Sequence, residues 1–189
     1  KKHINSLGAL WVIYSTIELF KKINKNTKLD HIIILEDDVY FHKKFDVLYN
    51  LLKLDLQNKD YIYLGFNSTS IELNTIFNKN KDNNLIEIEK NHYYDGGIYG
   101  AYSYICSRKY REYVISLDIE YYINNNINLD AALNIFFSNK EKQHIKNDLN
   151  FYVFNEHLFI PEVRKNGINN IRNDNFYKDR FINLDNYLI

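Results

Sequence analysis

A short apolar run that stops at three consecutive carboxylates is the feature that most constrains this chain. Residues 31–35 are His-Ile-Ile-Ile-Leu, and Glu36, Asp37 and Asp38 follow directly. A continuous apolar run of this length is typical of a strand that is buried on both faces, as in a parallel sheet. Three adjacent acids repel one another, and a divalent cation between them relieves that repulsion. Because ligands of open α/β sheets bind at the carboxyl ends of strands, the pattern predicts a hard-cation site at this point.

The spacing of the acids also indicates what the cation would bind. Glu36 and Asp38 form an acid–x–acid pair, which can hold Mn²⁺ or Mg²⁺ and, through the metal, a nucleotide diphosphate. The alternative interpretation is a solvated turn whose acids cap the next segment. A turn of this kind is common by itself, and the preceding apolar run favours the metal site.

Composition limits the class of protein. The chain has 189 residues, which suits a single domain spanning residues 1–189. Lys plus Arg and Asp plus Glu are 24 each, so the formal net charge is zero. This balance argues against a nucleic acid or an anionic membrane as a partner held by bulk electrostatics. The sequence leaves the oligomeric state open.

Cysteine and apolar content narrow the possibilities further. Cys106 is the only cysteine, which excludes a disulfide within the chain and a zinc site built on cysteines. Its apolar surroundings predict a buried, inert thiol. No apolar run approaches the roughly 18 residues of a membrane span, and no signal peptide is visible. The sequence has no Met, which suggests a segment excised from a longer protein and leaves the compartment unknown.

Hydrophobic periodicity predicts alternating helices and strands. Helices are expected over residues 6–24 and 44–56, and short strands over 31–35 and 61–64. This helix–strand–helix–strand order predicts an α/β fold with a mostly parallel central sheet flanked by helices.

The second half of the chain carries further signals. The polar stretch 68–84 is expected to be a long loop, and Leu85–Glu89 alternates like a half-exposed strand. The other predicted elements are a strand within 98–107, a helix over 108–117 capped by Ser107, a helix over 130–137, a strand over 151–154, and a lid or packing arm from residue 166 onward.

Three further positions are candidate site residues. His157 follows the strand at 151–154 and could add a metal ligand, although a satisfied surface histidine is the more common case. Asp130 could be a general base, or an acid at the start of a helix, where the helix dipole stabilises a negative charge. Asp95, beside Gly96 and Gly97, could meet an acceptor or merely belong to a turn.

Several segments resemble glycosyltransferase family 25, which includes lipooligosaccharide and procollagen galactosyltransferases. Leu35-Glu36-Asp37-Asp38 is similar to the family's Leu-Glu-Asp-Asp signature. The other similar segments are Leu7 to Phe20, Gly97 to Lys109, Leu129-Asp130 and Phe159 to Arg172. The similarity extends over most of the chain, and the acid motif is its specific part.

The resemblance implies a nucleotide-diphospho-sugar transferase fold of the GT-A type, a UDP-sugar donor and a divalent metal. Glu36 and Asp38 would then hold Mn²⁺ or Mg²⁺, with His157 as a further ligand. Asp37 and Gly97 would contact the donor. The family is regarded as inverting, so a base must deprotonate the acceptor hydroxyl, and Asp130 is the first candidate and Asp95 the second. The implied reaction transfers galactose or glucose to a glycan or to a hydroxylated protein side chain.

The sequence departs from the family in two places, and these leave other functions open. Tyr14-Ser15-Thr16 stands where the family has Ser-His, and the family's first nucleotide-binding strand does not precede the first helix. The alternative is therefore a catalytically silent glycosyltransferase-like module that binds an acceptor or organises a larger enzyme. A third hypothesis, a metal-dependent phosphohydrolase, would need Asp as the first acid, where this chain has Glu36.

Overall fold

The computed structural model describes residues 7–53, 56–68, 70–80, 83–88, 98–99, 102–124, 148–155, 157–161 and 186–188. The helices are α1 (Leu7–Asn26), α2 (Phe45–Lys53), α3 (Ile71–Lys79), α4 (Arg108–Ile115) and α5 (Ile119–Asn124). The strands are β1 (His31–Leu35), β2 (Val39–His42), β3 (Tyr61–Tyr63), β4 (Asn67–Ser68), β5 (Leu85–Ile88), β6 (Ile98–Tyr99), β7 (Ser103–Ser107), β8 (Phe151–Phe154), β9 (Phe159–Pro161) and β10 (Tyr187–Leu188). The fold is therefore α/β.

The central sheet is mixed rather than mostly parallel. Its strand order is β1-β7-β3-β8-β5, and only the β3–β8 pair is parallel. The prediction of a mostly parallel sheet was wrong because β7 enters antiparallel between β1 and β3. β1 and β3, which are joined through α2, do run in the same direction, as the order of elements suggested. They do not pair with each other, because β7 lies between them.

Strand β1 lies at the edge of this sheet, which corrects the prediction that it is buried on both faces. Among the described residues it pairs with β7 alone, with Ile33 opposite Ile105. The side chains of Ile33 and Leu35 are 36% and 39% exposed. An apolar run shows that a strand can be packed against other apolar groups, but it does not reveal which strands are its neighbours.

Two smaller sheets flank the central one. The order in the first is β10-β2-β9, in which β2 pairs antiparallel with both neighbours. The second joins β4 to β6, with Ser68 opposite Ile98. Because β2 starts immediately after the acid turn, its pairing with β9 fixes where the chain goes beyond the carboxylates.

The hydrophobic core lies on both faces of the central sheet. One cluster combines α1 and α4 with alternate sheet residues, and it includes Ile13, Ile17, Phe20, Tyr61, Tyr63, Tyr104, Cys106, Tyr110, Val114 and Val153. The opposite face packs Ile62, Leu64 and Ile105 against Phe154, Leu158 and Phe159, with Phe45 and Tyr49 of α2 beside them. Successive strand residues point to opposite faces, which explains this division.

Several local predictions are confirmed. Helix α1 matches the predicted first helix, and β3, β5 and β8 lie where strands were expected. Ser107 caps α4, since its Oγ accepts a 3.1 Å hydrogen bond from the Tyr110 amide. The predicted helix 130–137 and most of the tail lie outside the described residues. In the part of the chain that is described, no helix has the length and apolarity to cross a membrane.

The prediction of a long loop over residues 68–84 was wrong, because this stretch contains α3. Ser70 is its N-cap, and Ser70 Oγ accepts a 3.0 Å hydrogen bond from the Leu73 amide. Leu73 and Phe77, four residues apart, are buried on one helix face. Their two-residue stripe is enough to fix the helix, although Asn and Lys dominate the rest of the segment.

Candidate functional site

The three carboxylates form a tight turn between β1 and β2. The Glu36 amide donates a 2.9 Å hydrogen bond to the Tyr102 carbonyl, which continues the β1–β7 pairing by one residue. Residues 37 and 38 then turn the chain, and β2 begins at Val39. Glu36 and Asp37 are exposed, whereas Asp38 is half-buried. The acid turn, residues 36–38, is thus anchored at one end by the sheet and presents two carboxylates to solvent.

Asp38 carries the most informative atom of the turn. Its Oδ1 is buried and has no hydrogen-bond partner in the part of the chain that the structure describes. A buried carboxylate oxygen without a donor is costly, because it has lost its water without a replacement. A cation would supply the missing partner, and carboxylate oxygens are the ligands that Mg²⁺ and Mn²⁺ prefer. The acid turn therefore fits a hard divalent cation.

Ser103 is a second polar group that lies near the same end of the sheet. It pairs directly with Leu35, the residue before the acid turn, and its side chain is fully buried. Its Oγ has no hydrogen-bond partner within the described ranges. The sequence analysis did not select this residue; its only local signal is a small polar side chain directly before the apolar and aromatic residues 104–106.

The carboxyl ends of three strands meet at this edge of the sheet. β1, β3 and β8 run in the same direction, so Glu36, Gly65 and Asn155 leave the sheet on the same side. Gly65 is closely enclosed there. A Cβ atom on it would overlap the Phe159 carbonyl oxygen and lie 2.7 Å from Tyr102 Cε2. The absence of a side chain at residue 65 thus permits β3, β7 and β9 to converge beside the acid turn.

His157 reaches the same edge but is not brought to the acid turn. Its ring stacks on Phe66 with centroids 4.7 Å apart, and its Nδ1 accepts a 3.4 Å hydrogen bond from the Phe66 amide. The β2–β9 register places Val39 opposite Pro161, four residues beyond His157. At about 3.3 Å per strand residue, this separates His157 from Asp38 by roughly 16 Å along the pair. The described geometry therefore does not combine the two as ligands of one ion.

The electrostatics of the neighbouring core are set by burial. Burial raises the pKa of Tyr104 well above its ordinary value, with smaller contributions from Cys106 and from the nearby Glu36 carboxylate. Burial also raises the pKa of the Cys106 thiol to about 12, although Arg111 opposes the shift. The prediction of a buried Cys106 is confirmed, and a thiol with this pKa is protonated at neutral pH.

The remaining predicted site residues lie outside the described residues. These are Asp95 and Gly97, in the segment before β6, and Asp130, in the segment after α5. Their roles stay predictions. Within the residues that are described, no group of three or more His, Cys, Asp or Glu side chains is placed to hold a metal ion.

Comparison with family models, with curated proteins and with solved structures gives no match. The resemblance to glycosyltransferase family 25 consequently rests on the motif residues of the sequence, and the case for a site rests on the acid turn and its surroundings.

Proposed function

We propose that this chain is a metal-dependent glycosyltransferase of the GT-A type that moves a hexose, galactose or glucose, from a UDP-sugar. The acceptor would be a glycan or a hydroxylated protein side chain. The observation that supports the proposal most is the acid turn at the end of β1, in which Asp38 Oδ1 is buried without a hydrogen-bond partner among the described residues. The turn lies at the carboxyl end of β1, on the same edge of the sheet as the ends of β3 and β8.

The three acids would have different roles in binding the donor. Glu36 and Asp38 alternate along the chain, so they would hold the cation, while the exposed Asp37 would contact hydroxyl groups of the ribose or the sugar. A divalent cation bound there would neutralise negative charge that grows on a departing diphosphate. The backbone at Glu36 is fixed by its 2.9 Å bond to Tyr102, which fixes the point from which this side chain leaves the sheet.

Deprotonation of the acceptor needs a separate group. Direct displacement at the anomeric carbon requires a base that removes the proton of the attacking hydroxyl. Asp130 remains the first candidate and Asp95 the second. The Glu36 and Asp38 carboxylates would be occupied by the cation and are therefore poor candidates for this role.

A catalytically silent module is the second candidate function. The position where the family has Ser-His is Tyr14-Ser15-Thr16, and Ser15 lies exposed on α1 with its Oγ donating 2.9 Å to the Val12 carbonyl. This side chain is engaged with its own helix. A chain that lacks the family's histidine could still bind an acceptor through the same edge of the sheet.

Calorimetric titration of UDP-galactose and UDP-glucose, with and without Mn²⁺, tests the proposal. We expect binding that depends on Mn²⁺ in the wild-type chain and that weakens at least about tenfold in Asp38→Asn, which loses one ligand charge. Asp46→Asn is the matched control, because Asp46 is an exposed acid in the first turn of α2. Absence of binding in the wild-type chain would refute donor binding. A transferase that lacks an acceptor is expected to hydrolyse the donor slowly and release UDP, so binding without release of UDP would favour the silent module.

A further inference from the structure

Helix α1 carries exposed apolar side chains on the side that faces away from the central sheet. Ile13 and Phe20 are buried in the core beneath the helix, whereas the side chain of Trp11 is 76% exposed. At about 100° per residue, Trp11 lies almost opposite Phe20. Val12 and Tyr14 flank it and are half-exposed. A surface helix usually presents polar side chains to solvent, so an outward apolar side of this kind indicates an interaction surface.

The C-terminal half of α1 has a basic groove on the same outer side. Lys21, Lys22 and Lys25 line this groove, which has a volume of about 730 Å³. Glu18 is the only acid of α1, and its carboxylate is already paired with Lys21 at 2.7 Å. Within the described ranges, Lys22 and Lys25 form no ion pair with a carboxylate. The groove therefore keeps an excess of positive charge, which favours an anionic ligand.

This basic character is local, and the zero net charge of the chain hides it. Residues 19–29 contain four lysines and no acid, and the fourth is Lys28, just beyond α1. Balanced charge argues against attraction by the chain as a whole, but exposed charges act mainly within a Debye length of about 8 Å at physiological ionic strength. The acid turn lies at the far end of β1, about 16 Å along the strand from His31. Its carboxylates therefore do not neutralise the groove.

Apolar and basic side chains follow one another along this side of the helix. Trp11 and Lys22 are about 16 Å apart along the helix axis, and Leu19, which is 43% exposed, lies between them and lines the groove. Free phosphate or a purely acidic peptide would use the lysines and leave Trp11 in water. A layer of anionic phospholipids uses both parts, because tryptophan and tyrosine rings favour the level of the headgroups and lysines bind the phosphates.

We propose that the outer side of α1 docks this protein on a membrane surface that contains anionic phospholipids. Trp11, Val12 and Tyr14 enter the headgroup layer, and Lys22 and Lys25 bind lipid phosphates in and around the groove. The contact is peripheral and reversible, because it involves one side of a helix whose other side is packed on the central sheet. It is independent of donor binding at the acid turn.

Trp11 is the only tryptophan of the chain, so its fluorescence reports directly on the proposed contact. The full chain is titrated with vesicles of phosphatidylcholine alone and with vesicles that contain about 30% phosphatidylglycerol. With the anionic vesicles we expect the emission of Trp11 to move to shorter wavelength and the apparent affinity to be at least about tenfold higher. Because the lysines act through their charge, about 0.5 M NaCl should weaken the binding.

Substitutions test whether this side of α1 makes the contact. Lys22→Glu/Lys25→Glu should weaken binding to the anionic vesicles at least about tenfold. The matched control, Lys43→Glu/Lys44→Glu, makes the same change in net charge at two exposed lysines before α2, which packs on the opposite face of the sheet. It should bind like the wild type. Val12→Ser, which keeps the fluorescent probe, should weaken binding about threefold or more, because it removes apolar area. Circular dichroism establishes that the variants are folded.

Soluble anions distinguish a membrane from other sources of negative charge. Glycerol phosphate supplies the headgroup chemistry without a lipid layer, and polyglutamate stands for an acidic peptide. Neither should shift the emission of Trp11, and a shift as large as that with vesicles would overturn the proposal. It is also refuted if anionic vesicles leave the emission unchanged, if both kinds of vesicle bind equally, or if Lys22→Glu/Lys25→Glu binds like its control.

Discussion

Arg111 Nε donates a 2.6 Å hydrogen bond to Asn24 Oδ1 and so joins α4 to the last turns of α1. The same guanidinium donates to the carbonyls of Leu29, at 2.8 Å, and of Asp30, at 3.1 Å. Arg111 is fully buried, and these acceptors lie in the segment that leads directly into β1. One side chain thus fixes the start of the strand whose far end carries the acid turn.

Replacement of Arg111 should therefore be severe. Arg111→Met keeps much of the volume but removes the donor of four hydrogen bonds, one of them to the buried Cys106 carbonyl, and we expect the free energy of unfolding to fall by about 2–4 kcal/mol. Urea unfolding measures the loss. The control is Arg108→Met, in which only a partly exposed (i, i+4) ion pair with Glu112 is lost, at a cost of about 0.5 kcal/mol or less. Equal effects of the two substitutions would contradict the role assigned to Arg111.

The buried oxygen of Asp38 predicts a conflict between binding and stability. Without a cation, Asp38→Ala removes an oxygen that has no donor among the described residues, so the variant should be at least as stable as the wild type. With Mn²⁺ in excess, the melting temperature of the wild type should rise and that of the variant should not.

Thermal denaturation with EDTA or Mn²⁺ checks both statements. Asp37→Ala is the control, because Asp37 is exposed and is proposed to contact the donor rather than the metal. It should retain the rise in melting temperature with Mn²⁺ alone. A wild-type chain that is indifferent to Mn²⁺ would count against the metal site.

Gly65 should tolerate no side chain. In Gly65→Ala the new Cβ would overlap the backbone oxygen of Phe159 and press on the Tyr102 ring, so β3 and β9 would have to separate. Overpacking of this kind costs about 1–3 kcal/mol. Chemical denaturation gives the loss, and a variant as stable as the wild type would show that this edge of the sheet is less tightly closed than described.

Alkaline pH should destabilise the fold through its buried tyrosines and cysteine. Burial raises the pKa of Tyr61 and Tyr110 well above 10.0, and raises that of Cys106 from 9.0 to about 12. The folded state therefore keeps protons that the unfolded state releases. The stability associated with these groups is complete below their unfolded pKa values and is lost as the pH rises through the folded ones.

The loss should begin near pH 9, where the unfolded cysteine starts to ionise. Between pH 8 and 10.5, Cys106→Ala should lose about 2 kcal/mol less stability than the wild type, since one released proton is worth about 1.4 kcal/mol per pH unit. Unfolding in urea at several pH values gives both slopes. Parallel curves for Cys106→Ala and the wild type would refute the explanation.

Helices and strands with a clear apolar periodicity could be predicted from the sequence. Which strands are neighbours in the sheet could not be predicted from it. Helix α1 and strands β3, β5 and β8 were predicted because their apolar spacing repeats within a few residues. The residues of β1 were predicted correctly, but its place in the sheet was not, because its pairing depends on β7, whose Ser103 meets Leu35 across a long stretch of chain. Periodicity within a segment contains no information about which distant segment pairs with it.

The candidate site, too, could be predicted from the sequence only in part. The position of the acid turn at a strand end followed from three adjacent acids after an apolar run, and the structure places it there. The burial of Asp38 Oδ1 and of Ser103 Oγ could not have been predicted, because it depends on how β2 and β7 pack. The separation of His157 from the acid turn likewise follows from the β2–β9 register, which only the folded chain defines.

The parallel pairing of β3 with β8 also determines when the chain can fold during synthesis. Tyr61 pairs with Phe151, so one side of β3 has no neighbour until the chain has been made 90 residues further, from 61 to 151. Ile62, at the middle of β3, is fully buried in the finished protein. A nascent chain must keep this apolar strand from other partners throughout that interval, because pairings between distant segments form late and are prone to aggregation before they form.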